Sequence, residues 1–226
     1  MNIFKTFFLI SLFILIFLNG FLEAKEGNFT EVNFKTSDNG VIYGSLFGKG
    51  EKGVILAHGK IFNKESWYEF AEILAVNGFQ VLAFDFRGYG MSKPGKDRDA
   101  LELDILGAED FLRKNNAKKI SVIGASMGAR AALKAAISAK EGTIQKLVLL
   151  SPPPLDESSD ISKVKGEKLF IASKEETLAT EVKKMFIKAS GTKELKLING
   201  SAHAQNIFKT EHKKELEDVI IKFLKS

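Results

Sequence analysis

Cysteine does not occur anywhere in the 226 residues of the chain. Its absence excludes disulfide bonds, thiolate metal sites and a cysteine nucleophile. Histidine is scarce as well, since only His58, His203 and His212 are present. Any reaction that needs an imidazole as its base must therefore use one of these three side chains.

The chain also lacks a strong excess of one charge. Lysine and arginine number 33 and aspartate and glutamate 28, which leaves a net charge of +5. Because the charges are interspersed and no nucleic-acid-binding motif or zinc spacing is present, we expect a solvated basic surface and no nucleic-acid partner. The composition, 45% hydrophobic and 27% charged, is typical of a globular chain with one sizeable core.

A long apolar run occurs at the N-terminus. Residues 7–18 (FFLISLFILIFL) follow a short segment with one lysine, and Leu22 and Ala24 suit the −3 and −1 positions of a cleavage site before Lys25. This order predicts a signal peptide over residues 1–24, an exported protein (periplasmic or secreted) and a domain over 25–226. The alternative is a retained membrane anchor with membrane association, although a spanning helix needs about 20 apolar residues.

Short apolar runs alternate with longer segments of helical spacing through the rest of the chain. Strands are predicted at 29–36, 41–47, 54–57, 79–84, 120–123, 147–150, 168–172 and 195–198, and helices at 65–76, 98–114, 126–139, 177–189 and 211–224. Buried strands of this length between helices are typical of a mostly parallel sheet covered on both faces. The turn residues 38–40 join the first two strands into an antiparallel hairpin.

The strongest motif is Gly124-Ala125-Ser126-Met127-Gly128, which lies between a predicted strand and an alanine-rich predicted helix. A tight strand-to-helix turn forces its central residue into a strained conformation, and its neighbours two positions away must be very small. The turn then holds the Ser126 hydroxyl at a helix N-terminus, where developing negative charge is stabilised. The motif predicts that Ser126 is a nucleophile. A plain helix-capping serine would not need both glycines.

Two further motifs extend the pattern: His58-Gly59 after the third strand, and residues 85–92 (DFRGYGMS) after the fourth. With the serine motif they make residues 29–226 resemble the α/β-hydrolase family. The resemblance implies an α/β sandwich in which the backbone N–H groups of Lys60 and Met127 form the oxyanion hole. It implies a loop-stabilising role for His58, and for Asp85 and Arg87, which are expected to hold their loop through polar contacts.

His203 follows the last predicted strand, where this family has its catalytic base, whereas His212 is expected to be exposed in the last helix. The acid of a triad would lie between Ser126 and His203 in chain order. The family commonly has an aspartate after the strand at 168–172, where this chain has Ser173-Lys174-Glu175-Glu176. The resemblance favours Glu176 as the acid. Glu175 and Asp156 remain alternatives, and both glutamates could instead serve only to cap a helix.

The resemblance therefore implies a serine hydrolase that cleaves small-molecule acyl esters through an acyl-enzyme, with neither metal nor organic cofactor. Only about 16 residues (151–166) separate the strands between which many family members insert a cap. We therefore expect no cap domain and an open site, as in the small dienelactone-hydrolase-like and esterase branches. A thioesterase or peptidase with the same triad, or an inactive hydrolase-fold binding protein, are the alternatives.

Overall fold

The computed structural model describes residues 28–156 and 159–226. The signal peptide predicted over residues 1–24 lies outside the described residues, so it stays a prediction. Within the described part of the chain, no helix is long and apolar enough to cross a membrane.

One sheet of eight strands organises the part of the chain that the structure describes. The strands are β1 (Phe29–Lys35), β2 (Val41–Phe47), β3 (Lys52–Ala57), β4 (Gln80–Phe84), β5 (Lys119–Ala125), β6 (Lys146–Leu150), β7 (Glu167–Ser173) and β8 (Lys193–Ile198). Their spatial order is β1-β2-β4-β3-β5-β6-β7-β8. β1 and β2 form the antiparallel hairpin, β2 pairs antiparallel with β4, and β3 to β8 run parallel. The predicted fold class is confirmed.

Among the described residues, five α-helices cover the sheet: α1 (Tyr68–Val76), α2 (Leu101–Lys114), α3 (Met127–Ser138), α4 (Ala179–Lys188) and α5 (Lys213–Lys225). α2, α3 and α4 pack on one face, and α1 and α5 pack on the other. The inner strands are apolar throughout because each faces a helix layer on both sides. In β3, for example, Ile55 and Ala57 join one core while Val54 and Leu56 join the other.

Helix starts are where the sequence prediction was least accurate. The helix predicted from residue 98 begins at Leu101, because the Asp99 N–H instead binds the Asp97 carboxylate at 2.9 Å in a turn. The last helix begins at Lys213, and His212 is the residue that precedes it. The expectation that His212 is exposed within that helix was wrong: its side chain is 22% exposed and lies 3.4 Å from the Glu215 carboxylate.

The segment between β6 and β7 contains no cap in its described residues, which form one short 3₁₀ turn at Ile161–Lys163. The carboxyl ends of the parallel strands are therefore not covered by an inserted domain from this segment. This is the edge at which open α/β sheets bind their ligands.

A buried ion network fastens the loop after β4. The Arg87 side chain is fully buried and contacts the Asp104 carboxylate at 2.7 Å and the Asp38 carboxylate at 2.9 Å. The hydrogen bonds from Arg87 hold the pKa of Asp38 well below its usual range. The expectation that Arg87 holds this loop through polar contacts agrees with these distances. The network joins the β1–β2 turn, the β4 loop and α2 on the same side of the molecule.

We expect Arg87→Met to lower the free energy of unfolding by about 3–5 kcal/mol, because it leaves the fully buried Asp104 carboxylate without its partner. The measurement is urea denaturation followed by circular dichroism. Lys114→Met is the matched control: it removes an exposed ion pair with Asp110 and should cost less than about 0.5 kcal/mol. Equal losses in the two variants would contradict the structural role of Arg87.

Candidate active site

Ser126 occupies the tight turn that joins β5 to α3. Its backbone has φ 50° and ψ −111°, a conformation that residues with a side chain rarely adopt. The flanking glycines have a steric reason, since a Cβ on Gly124 would lie 2.5 Å from the Gly128 carbonyl oxygen. A Cβ on Gly128 would collide with the carbonyl group of Ala57 in β3. The serine motif therefore forms the strained turn between strand and helix that its sequence predicts.

His203 lies in the loop after β8, with its imidazole between two predicted partners. Its Nε2 is 2.9 Å from Ser126 Oγ, and its Nδ1 is 2.6 Å from Glu176 Oε2. In the neutral ring Nδ1–H donates to the carboxylate, which leaves Nε2 free to accept the serine proton. The structure thus brings Ser126, His203 and Glu176 into one hydrogen-bonded chain, although they lie on three separate loops.

Glu176 is held rigidly between β7 and α4. Its carboxylate oxygen Oε1 accepts hydrogen bonds from the Ser151 hydroxyl at 2.6 Å and from the Ser173 N–H at 2.8 Å. The Glu176 side chain is only 2% exposed, so these bonds form away from water. The other carboxylate oxygen, Oε2, is left to face His203.

The other two acid candidates lie elsewhere. Glu175 is exposed to solvent, and its backbone N–H donates to the Gly200 carbonyl at 3.1 Å. The Asp156 carboxylate forms ion pairs with Arg130 and Lys134 on α3. Of the three candidates, Glu176 is the one in contact with the imidazole of His203.

Ser151 is a residue of the site that the sequence reasoning missed. It is fully buried directly after β6, with a positive φ of 46°. Besides donating to Glu176, its hydroxyl oxygen accepts the Ala204 N–H at 3.0 Å, so it ties the acid to the loop that bears His203. Its position at the carboxyl end of a predicted parallel strand was a signal that could have identified it.

The loop after β3 is held by His58. This side chain is fully buried, and burial lowers its pKa, so the ring is neutral. Its Nδ1–H donates to the Gly59 carbonyl at 2.9 Å, and its Nε2 accepts the Phe86 N–H at 3.2 Å. In a trans peptide the carbonyl and the next N–H point in opposite directions. Fixing the Gly59 carbonyl therefore fixes the direction of the Lys60 N–H.

Two more side chains brace the same loop, and neither was anticipated from the sequence. Gln205 is buried, and its Oε1 accepts the Gly59 N–H at 2.7 Å. The Tyr89 hydroxyl donates to the Lys60 carbonyl at 3.0 Å. These contacts join the loop with the predicted oxyanion donor Lys60 to the loops of His203 and of residues 85–92. Lys60, Ser126 and the second predicted donor, Met127, line a common cavity of about 350 Å³.

Across residues 28–156 and 159–226, no three histidine, aspartate or glutamate side chains come together in a way that could hold a metal ion.

Comparison with known proteins identifies the family to which this fold belongs. Residues 53–174, more than half of the chain, match the model of the alpha/beta hydrolase fold. The chain belongs to the α/β-hydrolase family. The matched stretch includes the loop after β3, the strained turn at Ser126 and the start of the loop that bears Glu176.

Several solved structures resemble the chain over most of its length. An esterase of Pyrococcus furiosus is 25% identical, with a TM-score of 0.74 over 87% of this chain and 92% of that one. An esterase of Exiguobacterium antarcticum is 15% identical, with a TM-score of 0.75 over 87% of this chain and 100% of its own, and shares the fold.

A curated relative from Synechocystis sp., named as a non-heme chloroperoxidase, is 28% identical over 116 residues. The match spans 50% of this chain but only 41% of that protein.

The strain at Ser126 has a measurable consequence. We expect Ser126→Gly to be more stable than Ser126→Ala by about 1 kcal/mol, because glycine adopts a positive φ without a Cβ clash. Lys183, exposed within α4, is the matched control, and there glycine should be less stable than alanine by about 1 kcal/mol. Chemical denaturation of the four variants tests both signs. If alanine is the more stable residue at 126 as well, the backbone there is not strained.

Proposed function

We propose that this member of the α/β-hydrolase family is a serine hydrolase that cleaves carboxylic esters through an acyl-enzyme. The observation that carries the proposal is the position of the His203 imidazole, 2.9 Å from Ser126 Oγ and 2.6 Å from Glu176 Oε2. A serine, an imidazole and a buried carboxylate in this order form the arrangement that activates a hydroxyl for acyl transfer.

In the first half-reaction, Ser126 Oγ forms a bond to the ester carbonyl carbon while its proton passes to His203 Nε2. The Glu176 carboxylate stabilises the resulting imidazolium. As the tetrahedral intermediate collapses, the bond to the alcohol oxygen breaks and His203 returns the proton to that oxygen. Water then attacks the acyl-enzyme and gives a proton to His203. The bond between the acyl carbon and Ser126 Oγ breaks, His203 returns the proton to Oγ, and the acid leaves.

The negative oxygen of the tetrahedral intermediate needs fixed hydrogen-bond donors. We assign this role to the N–H groups of Lys60 and Met127, which belong to two residues that line the cavity beside Ser126. Three contacts support the assignment, since His58, Gln205 and Tyr89 each fix the Gly59–Lys60 segment by a hydrogen bond of 2.7–3.0 Å. Donors held in advance stabilise the transition state without reorganising during the reaction.

An ester is favoured as the substrate because the Pyrococcus furiosus relative, which matches over most of its length, is an esterase. A thioester or peptide bond could be cleaved by the same groups. The unbroken series of hydrogen bonds from Ser126 through His203 to Glu176 argues against an inactive binding protein. An ester and thioester panel separates the remaining substrate classes.

We expect a fluorophosphonate probe to label the wild-type protein and not Ser126→Ala, because the probe reacts with an activated serine hydroxyl. Hydrolysis of p-nitrophenyl acetate should fall by about 10⁶-fold in the same variant. Circular dichroism establishes that the variant is folded. Absence of labelling in the wild type, or equal labelling of both proteins, would refute the proposal.

Replacing the two neighbouring glutamates one at a time tests the acid. In Glu176→Gln an amide donor faces His203 Nδ1 and imposes the wrong tautomer, so kcat should fall on the order of 10⁴-fold. Glu175→Gln changes an exposed side chain and should stay within about twofold of the wild type. Steady-state kinetics on one ester gives both values. A larger loss of kcat in Glu175→Gln than in Glu176→Gln would identify Glu175 as the acid instead.

A further inference from the structure

Two cavities of different size open beside Ser126, and both include Lys60. The larger, about 350 Å³, is lined by Met127 and by residues of α2 and α3. The smaller, about 150 Å³, is lined by His203 together with Ile61, Phe62, Ala204 and Asn206. His203 thus lines the smaller cavity and does not line the larger one.

The mechanism decides which part of an ester each cavity receives. His203 Nε2 must return a proton to the leaving oxygen, so that oxygen must come within about 2.6–3.2 Å of it. The group attached to the leaving oxygen, which is the alcohol part of the ester, then lies in the smaller cavity, whose wall contains His203. The oxyanion points to the N–H groups of Lys60 and Met127. The remaining substituent of the tetrahedral carbon, the acyl group, is directed into the larger cavity.

We propose, on the basis of the function proposed above, that the protein selects esters of a compact alcohol with a larger acid. A largely apolar cavity of about 150 Å³ has room for a group the size of benzene, so short-chain or single-ring alcohols are favoured. The cavity for the acid, about 350 Å³, falls within the range of ordinary small-molecule sites.

The walls of the two cavities also differ in chemistry. Phe62 and Ile61 make the alcohol side largely apolar, and the Lys209 ammonium lies 4.8 Å from the Phe62 ring centroid, where it helps to hold the ring in place.

The acid side combines two apolar side chains, Met127 and Leu101, with four charged ones: Asp99, Glu102, Arg130 and Lys134. A long alkyl chain there would remove water from charged groups, which is unfavourable. The preferred acid therefore carries a polar group as well as carbon atoms.

Two ester series test the assignment. One varies the alcohol of acetate esters from methyl through benzyl to naphthylmethyl, and the other varies the acid of methyl esters over the same sizes. We expect kcat/KM to fall at least about tenfold between benzyl and naphthylmethyl acetate, with no such fall in the acid series. Methyl 6-hydroxyhexanoate should be preferred to methyl heptanoate. The opposite size order, or a preference for the heptanoate, would overturn the inference.

Variants on each side make the test specific. Phe62→Ala should enlarge the alcohol cavity and reduce the discrimination against naphthylmethyl acetate by about tenfold, with the size profile for acids unchanged in shape. Leu101→Trp should narrow the acid cavity and lower kcat/KM for esters of large acids only. Ile187→Ala, at an exposed position on α4, is the control and should alter neither profile.

Fluorophosphonate labelling gives the active fraction of each variant, so a misfolded protein is recognised before its profile is compared. A wild type that neither labels nor cleaves any ester would refute the proposed function itself. A wild type that labels and cleaves esters, but whose alcohol profile does not respond to Phe62→Ala, would refute only the assignment of the cavities.

Discussion

The backbone at Ser126 is the constraint on which the rest of the site depends. Its positive φ is maintained because the Ser126 N–H donates to the Leu150 carbonyl at 2.8 Å and because Gly128 packs directly against Ala57. These contacts tie the turn to both strands that flank β5, so the strain is held by the centre of the sheet. A less rigid support would let the turn relax and would remove the hydroxyl from the reach of His203.

The parallel sheet then brings the side chains of the candidate active site together at one edge. Loops after β3, β5, β6, β7 and β8 supply Lys60, Ser126, Ser151, Glu176 and His203. Since parallel strands end at a common edge, residues up to 143 positions apart in the sequence meet without any long excursion of the chain. Ser151 and Gln205 show how much of this edge is devoted to support: each links two of the loops through buried hydrogen bonds, and neither faces the reaction in the proposed mechanism.

Local sequence patterns predicted the structure well at positions where the geometry admits only one residue type. The glycines around Ser126 indicate a close approach of two backbones, and they predict that turn correctly. Helix starts were predicted less well, as at Leu101, since a turn closed by the Asp97 side chain competes with the first helical hydrogen bonds. No local sequence pattern distinguishes Glu175 from Glu176 as the acid. The two residues are adjacent and have the same side chain, so they differ only in the direction in which the backbone points that side chain.

By itself, the sequence determined the order of strands and helices, the fold class and the strained turn at Ser126. These depend on periodicity, small residues and turn residues, all of which act over short distances. Only the tertiary structure decided that Glu176 is buried against His203 while Glu175 faces solvent, that Ser151 and Gln205 brace the site, and that His203 borders the smaller of two cavities. Those facts depend on how distant loops meet at the edge of the sheet, and no local pattern encodes that geometry.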